Sequence, residues 1–340
     1  MKRIALLLVL FCLSFAAFPQ NQVATLQHND SIAGVYYGQN ALASAYNAAS
    51  NGDIITLSSG TFSSTNISKA IILRGAGCVY DSVTYVPPTI ISGNFSIGGS
   101  VSSNTNIEGI NMTGVITGYS CNNIRITKCI INSIQQGSGS NMNWQFVNCI
   151  IMDFRTTSCY STIGGLSCSY FKGISIFNSV VLFKEYSHAD IYNPTTIYNS
   201  IILFDNGQNV KNIVACNSVI ATVSGHEISN CSFFNCIGIE TGETSLFEGQ
   251  TAQNVMEVDG YDDVFETFDG TVTYDNAYQL KEEIATSFLG NDGTEVGIYG
   301  GMMPYNPRPS YMIMKRCNVA PRSTVDGKLS VDIEIIAEDE

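Results

Sequence analysis

Charge is what this chain has least of. Only 13% of its 340 residues are Asp, Glu, Lys or Arg, and no basic run occurs. With a formal net charge of −13, that excludes a basic nucleic-acid-binding surface. Histidine is nearly missing, at three residues, and no Cys-x-x-Cys pair or Cys/His spacing offers a zinc site. Past the first eighteen residues no stretch is apolar enough to span a bilayer. Disorder is excluded too, because 45% of residues are hydrophobic and 10% aromatic.

The charge that exists is unevenly placed. Residues 1–240 carry 10 basic and 10 acidic side chains, and residues 241–340 carry 6 and 19, so the whole imbalance lies in the last hundred residues. At the other end, Lys2 and Arg3 precede an apolar run from Ile4 to Phe18, broken only by Ser14, with small residues at Ala16 and Ala17. This is the layout of a secretory signal peptide over residues 1–18, and the run falls short of the ~20 residues a membrane span needs. The mature protein is therefore expected to be exported, to the cell surface or the periplasm, with no transmembrane segment.

One short phrase recurs. It reads Ile126-Thr127-Lys128-Cys129-Ile130-Ile131, then Phe146-Val147-Asn148-Cys149-Ile150-Ile151, Ile176-Phe177-Asn178-Ser179-Val180-Val181 and Ile197-Tyr198-Asn199-Ser200-Ile201-Ile202. It returns at Asn217-Ser218-Val219-Ile220 and Asn235-Cys236-Ile237. The Cys/Ser position steps by 20, 30, 21, 18 and 18 residues, and the long step implies an insertion within Thr156–Lys172. A period near twenty in β-branched sequence predicts a solenoid. Leucine-rich repeats share the period, but their Leu-x-x-Leu-x-Leu frame is absent. The fold expected is all-β: a right-handed parallel β-helix in which like positions stack a rung apart, roughly 4.8 Å. Asn148, Asn178, Asn199, Asn217 and Asn235 then form a ladder at a tight bend, where asparagine tolerates the left-handed conformation. Alternation restarts at each bend, so neither member of an Ile-Ile pair can be assigned to the inside.

Upstream, Gln39–Ala49 reads as a short helix with Leu42, Ala45, Ala48 and Ala49 on one face. It is followed by Asn51-Gly52-Asp53-Ile54-Ile55-Thr56-Leu57, Gly60-Thr61-Phe62 and Ile71-Ile72-Leu73-Arg74-Gly75. This order resembles the opening of parallel β-helix proteins of the pectin-lyase-like fold, exported bacterial type, whose helix covers the first coil. The resemblance spans about residues 38–240, implies the fold, and leaves the activity open. Tyr278–Leu280, Gly290–Gly293 and Val296–Gly301 resemble the segment that closes such helices, giving one β-helix domain over 19–303. Pro304, Pro307 and Pro309 then read as a stiff linker, and Tyr311–Val319 with Lys328–Ile336 as a β hairpin, in an appendage over 304–340.

Ten cysteines remain after signal removal. Cys129, Cys149 and Cys236 share a position with serines, so a stack of buried free thiols is expected there. Cys159 and Cys168 flank a glycine-rich piece of the insertion and are the local disulfide candidates.

Lyases of the resembled fold use a Lys or Arg base, often with Ca²⁺ held by carboxylates. Its hydrolases use several Asp, and neither motif is present here. Aligning coils on the Cys/Ser position puts Phe154, Lys184 and Asp205 in one column and Arg155, Glu185 and Asn206 in the next, with His188 and Asp190 following. Two readings stand. One is a saccharide groove in which Tyr186 and Tyr192 offer ring faces and Arg155 or Lys184 pairs an acidic sugar. The other is a row of exposed ion pairs, each worth only ~0–1 kcal/mol. Asp259, Asp262 and Asp263 are candidate Ca²⁺ ligands or a solvated acidic loop; no cofactor is otherwise implied. The function expected is a monomeric, non-catalytic β-helix that binds a polysaccharide or another cell-surface component. A polysaccharide lyase or glycoside hydrolase and an inert stalk are the alternatives.

Overall fold

The computed structural model describes residues 22–82, 86–162, 165–185, 194–205, 210–222, 227–240, 245–309, 313–319 and 331–336. The expected signal peptide lies outside them.

Parallel strands stack into a β-solenoid of about nine turns. Each turn lays one short strand on a first face, bends through one residue, and lays a second strand on a second face. On the first face Ile126, Phe146, Ile176, Ile197, Ala215 and Phe233 stand over one another in register. On the second, Ile131, Ile151, Val181, Ile202 and Ile220 do the same. All of these side chains are buried and belong to one continuous interior core. The expected insertion is an antiparallel hairpin, Thr157–Thr162 against Gly165–Lys172.

The bend explains the repeat. Asn148, Asn178, Asn199, Asn217 and Asn235 all adopt left-handed backbone, with φ of 54°, 44°, 47°, 51° and 52°. The next residue points inward and closes the corner. The hydroxyls of Ser179, Ser200 and Ser218 each donate to the carbonyl two residues back at 2.7 Å, and the Sγ atoms of Cys129, Cys149 and Cys236 do so at 3.2–3.4 Å. The same hydroxyls accept from the coil before: Cys149 N–H donates to Ser179 Oγ at 2.9 Å and Ser179 N–H to Ser200 Oγ at 3.2 Å. At each serine corner a buried donor and a buried acceptor are thus satisfied by one small side chain, and at the cysteine corners the acceptor is.

A second, unexpected ladder stands five residues earlier. Asn104, Asn123, Asn143, Asn212 and Asn230 also have positive φ, between 55° and 68°. Asn123 Nδ2 donates to Asn104 Oδ1 at 3.2 Å, and Asn143 Nδ2 to Asn123 Oδ1 at 3.1 Å. The two bends bracket the first-face strand. The repeated five-residue gap between asparagines is the signal in the sequence that marks them.

The N-terminal end is capped by two elements. An antiparallel hairpin, Val23–His28 with Ser31–Tyr37, pairs through its first strand with Ile54–Leu57 and occupies the exposed edge. The helix Ala41–Ala48 buries Ala41, Leu42, Ala45 and Tyr46. Ala48 faces out, and Tyr46 faces in because its hydroxyl accepts the Ser68 and Lys69 N–H groups. Lys69 Nζ in turn donates to the carbonyls of Tyr46 and Ala49 at 2.9 and 2.7 Å, a cation at the negative end of the helix dipole.

The chain after the last coil turns back along the outside. Ile130, Ile150, Val180, Ile201, Val219 and Ile237, the first members of the apolar pairs, point outward from the second face. They are nonetheless buried, in a second core with Val264, Phe265, Phe268, Tyr278, Leu280, Val296 and Ile298. Residues 258–309 therefore form a strap over the second face. A parallel sheet covered on both sides reads as continuous apolar sequence, which is why alternation cannot sort the pairs.

The Asn ladder holds this strap. Asn217 Oδ1 accepts from Asn291 N–H at 3.1 Å, Asn178 Nδ2 donates to the carbonyls of Ile298 and Gly300 at 3.1 and 2.7 Å, and Asn148 Oδ1 accepts from Asn306 N–H at 3.0 Å. Gly301, at φ 79°, passes so close that an added Cβ would sit 2.9 Å from Asn199. Pro304 and Pro307 lie in this strap, and Pro309 packs beside Gly77 and Gly109. The strands Ile313–Val319 and Val331–Ile336 pair antiparallel with each other as a separate sheet.

The ladder allows a paired test. Asn199 Nδ2 is buried without a partner, whereas Asn178 Nδ2 makes two bonds. Glycine relieves the positive φ at both sites. Asn178→Gly is then expected to lose about 1–3 kcal/mol through unpaired strap carbonyls, and Asn199→Gly to stay within about 0.5 kcal/mol. Urea unfolding of the two variants checks the difference.

Candidate functional site

The candidate edge lies where second-face strands run out into loops. Ile150–Arg155, Val180–Glu185 and Ile201–Phe204 end side by side, and the hairpin starts two residues after Arg155. Register places Arg155 beside Glu185. Asp205 N–H donates to the Phe183 carbonyl at 2.9 Å, which brings Asp205 alongside Lys184. Tyr186, His188, Asp190 and Tyr192 lie outside the described residues, and Glu185 is described only by its backbone.

One column is corrected. Phe154 does not stack with Lys184 and Asp205; it stands over Phe183, which stands over Phe204. The ring centroids are 5.1 and 5.3 Å apart, with the planes 20° and 11° from parallel. The register slips by one residue between Ile151 and Phe154 and slips back between Phe154 and Arg155, so the shift is confined to Phe154 and Arg155 keeps its place beside Glu185. The slip turns a large apolar ring into the core and leaves Lys184 and Asp205 to follow it outward. Residue counting from the Cys/Ser position cannot register such a slip.

Arg155 is held. Its Nε donates to Asp153 Oδ1 at 3.1 Å and its Nη2 to Asp153 Oδ2 at 3.2 Å, a two-pronged grip on a guanidinium that stays 41% exposed. Lys184 is exposed at the end of the next strand. The edge therefore offers two cations, one on each of two adjacent turns, with carboxylates beside them. Such an arrangement can bind anionic groups in a row. The repeat pattern does not single out Asp153, although it lies two residues from Arg155 on the same side of the strand.

The remaining candidates sit elsewhere. Asp262 and Asp263 belong to a short turn in which Asp263 accepts from Gly260 N–H at 3.2 Å. Among the described residues no three His, Cys, Asp or Glu side chains converge to hold a metal ion. A pocket of about 180 Å³ opens at the strap's end, where Arg308 approaches Asp81 at 3.6 Å. Burial pushes the thiols of Cys149 and Cys236 up to about 12 and that of Cys121 to about 11, so they remain protonated at neutral pH. No family model, no curated protein and no solved structure matches this chain.

Proposed function

We propose that this chain is an exported β-helix of the pectin-lyase-like kind. It acts at the cell surface or in the periplasm as a non-catalytic scaffold that binds an anionic polysaccharide along the edge carrying Arg155 and Lys184. One observation supports the reading: two cations stand on successive turns, and Asp153 holds one of them in a fixed fork. Rungs roughly 4.8 Å apart set a regular spacing of donors, which suits a polymer that repeats its carboxylate or sulfate groups. The first 240 residues hold only ten basic side chains, so the pairing is local and not part of a general positive field.

The test is binding of pectic and sulfated host glycans to the protein and to Arg155→Ala/Lys184→Ala. Removing each charge-assisted hydrogen bond is expected to weaken binding by roughly tenfold or more, with stronger salt sensitivity in the unaltered protein. Unchanged affinity in the double variant removes the edge as the site. Absence of any glycan binding reduces the chain to a stalk. Product release from the same glycans, abolished on changing Lys184 or Asp205, would make it an enzyme instead.

A further inference from the structure

We infer that Cys159 and Cys168 are joined by a disulfide that ties off the hairpin rising from the Arg155 edge. The two residues face each other across the antiparallel pair, in a register that runs from Thr157↔Tyr170 through Cys159↔Cys168 to Thr162↔Gly165. Two residues separate Thr162 from Gly165 in the chain, and the pair closing a two-residue hairpin exchanges both backbone hydrogen bonds. Bonded and non-bonded pairs then alternate, so the fourth pair, 159 with 168, is non-bonded. Opposed α-carbons at such a position lie ~4.5 Å apart, inside the span a disulfide bridges.

The other cysteines of the solenoid sharpen the contrast. Cys78, Cys121, Cys129, Cys149, Cys216, Cys231 and Cys236 are free thiols, and all but Cys216 are buried. Five of them, Cys121, Cys129, Cys149, Cys231 and Cys236, donate to backbone carbonyls of the coil before. Cys129, Cys149 and Cys236 fill corners where serine serves in other turns. Cys159 and Cys168 fill no corner. They lie on a two-stranded excursion whose third partner, Asn141–Met142, reaches only Phe171 and Lys172. A lone hairpin is marginal in water, and a cross-link near its tip restricts its open states.

The reaction is thiol–disulfide exchange. A thiolate of the pair attacks a disulfide oxidant, displacing one of its thiols. The second cysteine then attacks the mixed disulfide and releases the other thiol. The pair gives up two protons and two electrons, and the oxidant becomes two thiols. An exported protein meets such oxidants.

The test uses the full-length chain with oxidised glutathione as oxidant, followed by denaturing alkylation, digestion and mass spectrometry. The expected result is a cross-linked pair of peptides carrying Cys159 and Cys168, alkylated at those two residues only after reductant. The solenoid thiols, in contrast, are alkylated without reductant. Cys159→Ser should leave Cys168 alkylated without reductant, with the circular dichroism of the body unchanged. Alkylation of both residues after oxidant treatment, or a cross-link from either to Cys317, overturns the inference. The readout needs no ligand, so its failure is distinct from failure of the glycan-binding reading.

Discussion

Replacing Phe154 by alanine is expected to lower the unfolding free energy by about 3–5 kcal/mol, the range for removing a fully buried aromatic ring. Phe154 has no exposed surface. Its ring stacks on Phe183 at 5.1 Å and meets Phe146 and Phe171 edge-on, each at 5.4 Å. No neighbour can collapse into the gap easily, because the rung above and the rung below are pinned by their own ladder bonds. The site also lies mid-column. In a solenoid each turn is stabilised through its neighbours, so a weak central interface lets the two ends unfold separately. Trp144, the one tryptophan of the chain, is buried 5.0 Å from Phe171 and reports the event. Its fluorescence in urea should shift to a lower midpoint and show a shallower transition than circular dichroism. A loss under 1 kcal/mol would mean the column repacks freely. Tyr198→Ala is the contrasting variant: its ring stacks on Phe177 at 5.5 Å, but on the outer surface and 37% exposed, so the loss should be near 1 kcal/mol.

A single carboxylate under the strap should have an effect of similar size by another route. Ile201 points away from the interior, yet it is 1% exposed because Gly297 of the strap lies 3.8 Å from it when a Cβ is placed there. Ile201→Asp buries a charge with no partner, which is avoided only by protonation or by lifting the strap. Lifting uncovers Ile150, Val180, Val219 and Ile237 together, an apolar patch that promotes association. The expected outcome is rapid proteolytic cleavage within 258–309 and concentration-dependent aggregation at neutral pH. Lowering the pH through the aspartate's raised titration range should partly restore resistance. Asn111 stands in the same column one turn before Ile130, and its polar side chain is half-buried. Asn111→Asp should change stability by no more than about 0.5 kcal/mol. Equal sensitivity at both positions would show that the strap does not carry this protection.

Much of the fold is legible because a solenoid repeats its physics locally. The asparagine at the bend, the small residue after it and the apolar pair that follows each answer a requirement posed by their own turn: a left-handed backbone, a corner with one donor and one acceptor, and a strand. Six recurrences of those requirements expose the period, and the break from it marks the hairpin at Thr157–Lys172. The second asparagine bend is equally local but harder to see, because the residues around it vary more between turns. The candidate edge is legible in part. Arg155 beside Glu185 survives, whereas residue counting puts Lys184 and Asp205 under Phe154, where the structure does not. A one-residue slip that is undone at the next residue leaves no mark in residue identities, since it is selected by which ring fits the interior.

The amino-acid sequence by itself determined that this chain winds into stacked parallel turns, and where those turns bend. These follow from short-range backbone preferences and hydrogen-bonding needs written into each repeat. Only the tertiary structure decided which apolar residue of each pair faces inward, and that the acidic closing segment runs back over the outer one. It also decided that the asparagine ladder serves as the strap's anchor as well as a bend. Those outcomes depend on what residues distant in the chain bring to the same surface, and no local pattern encodes a partner that far away.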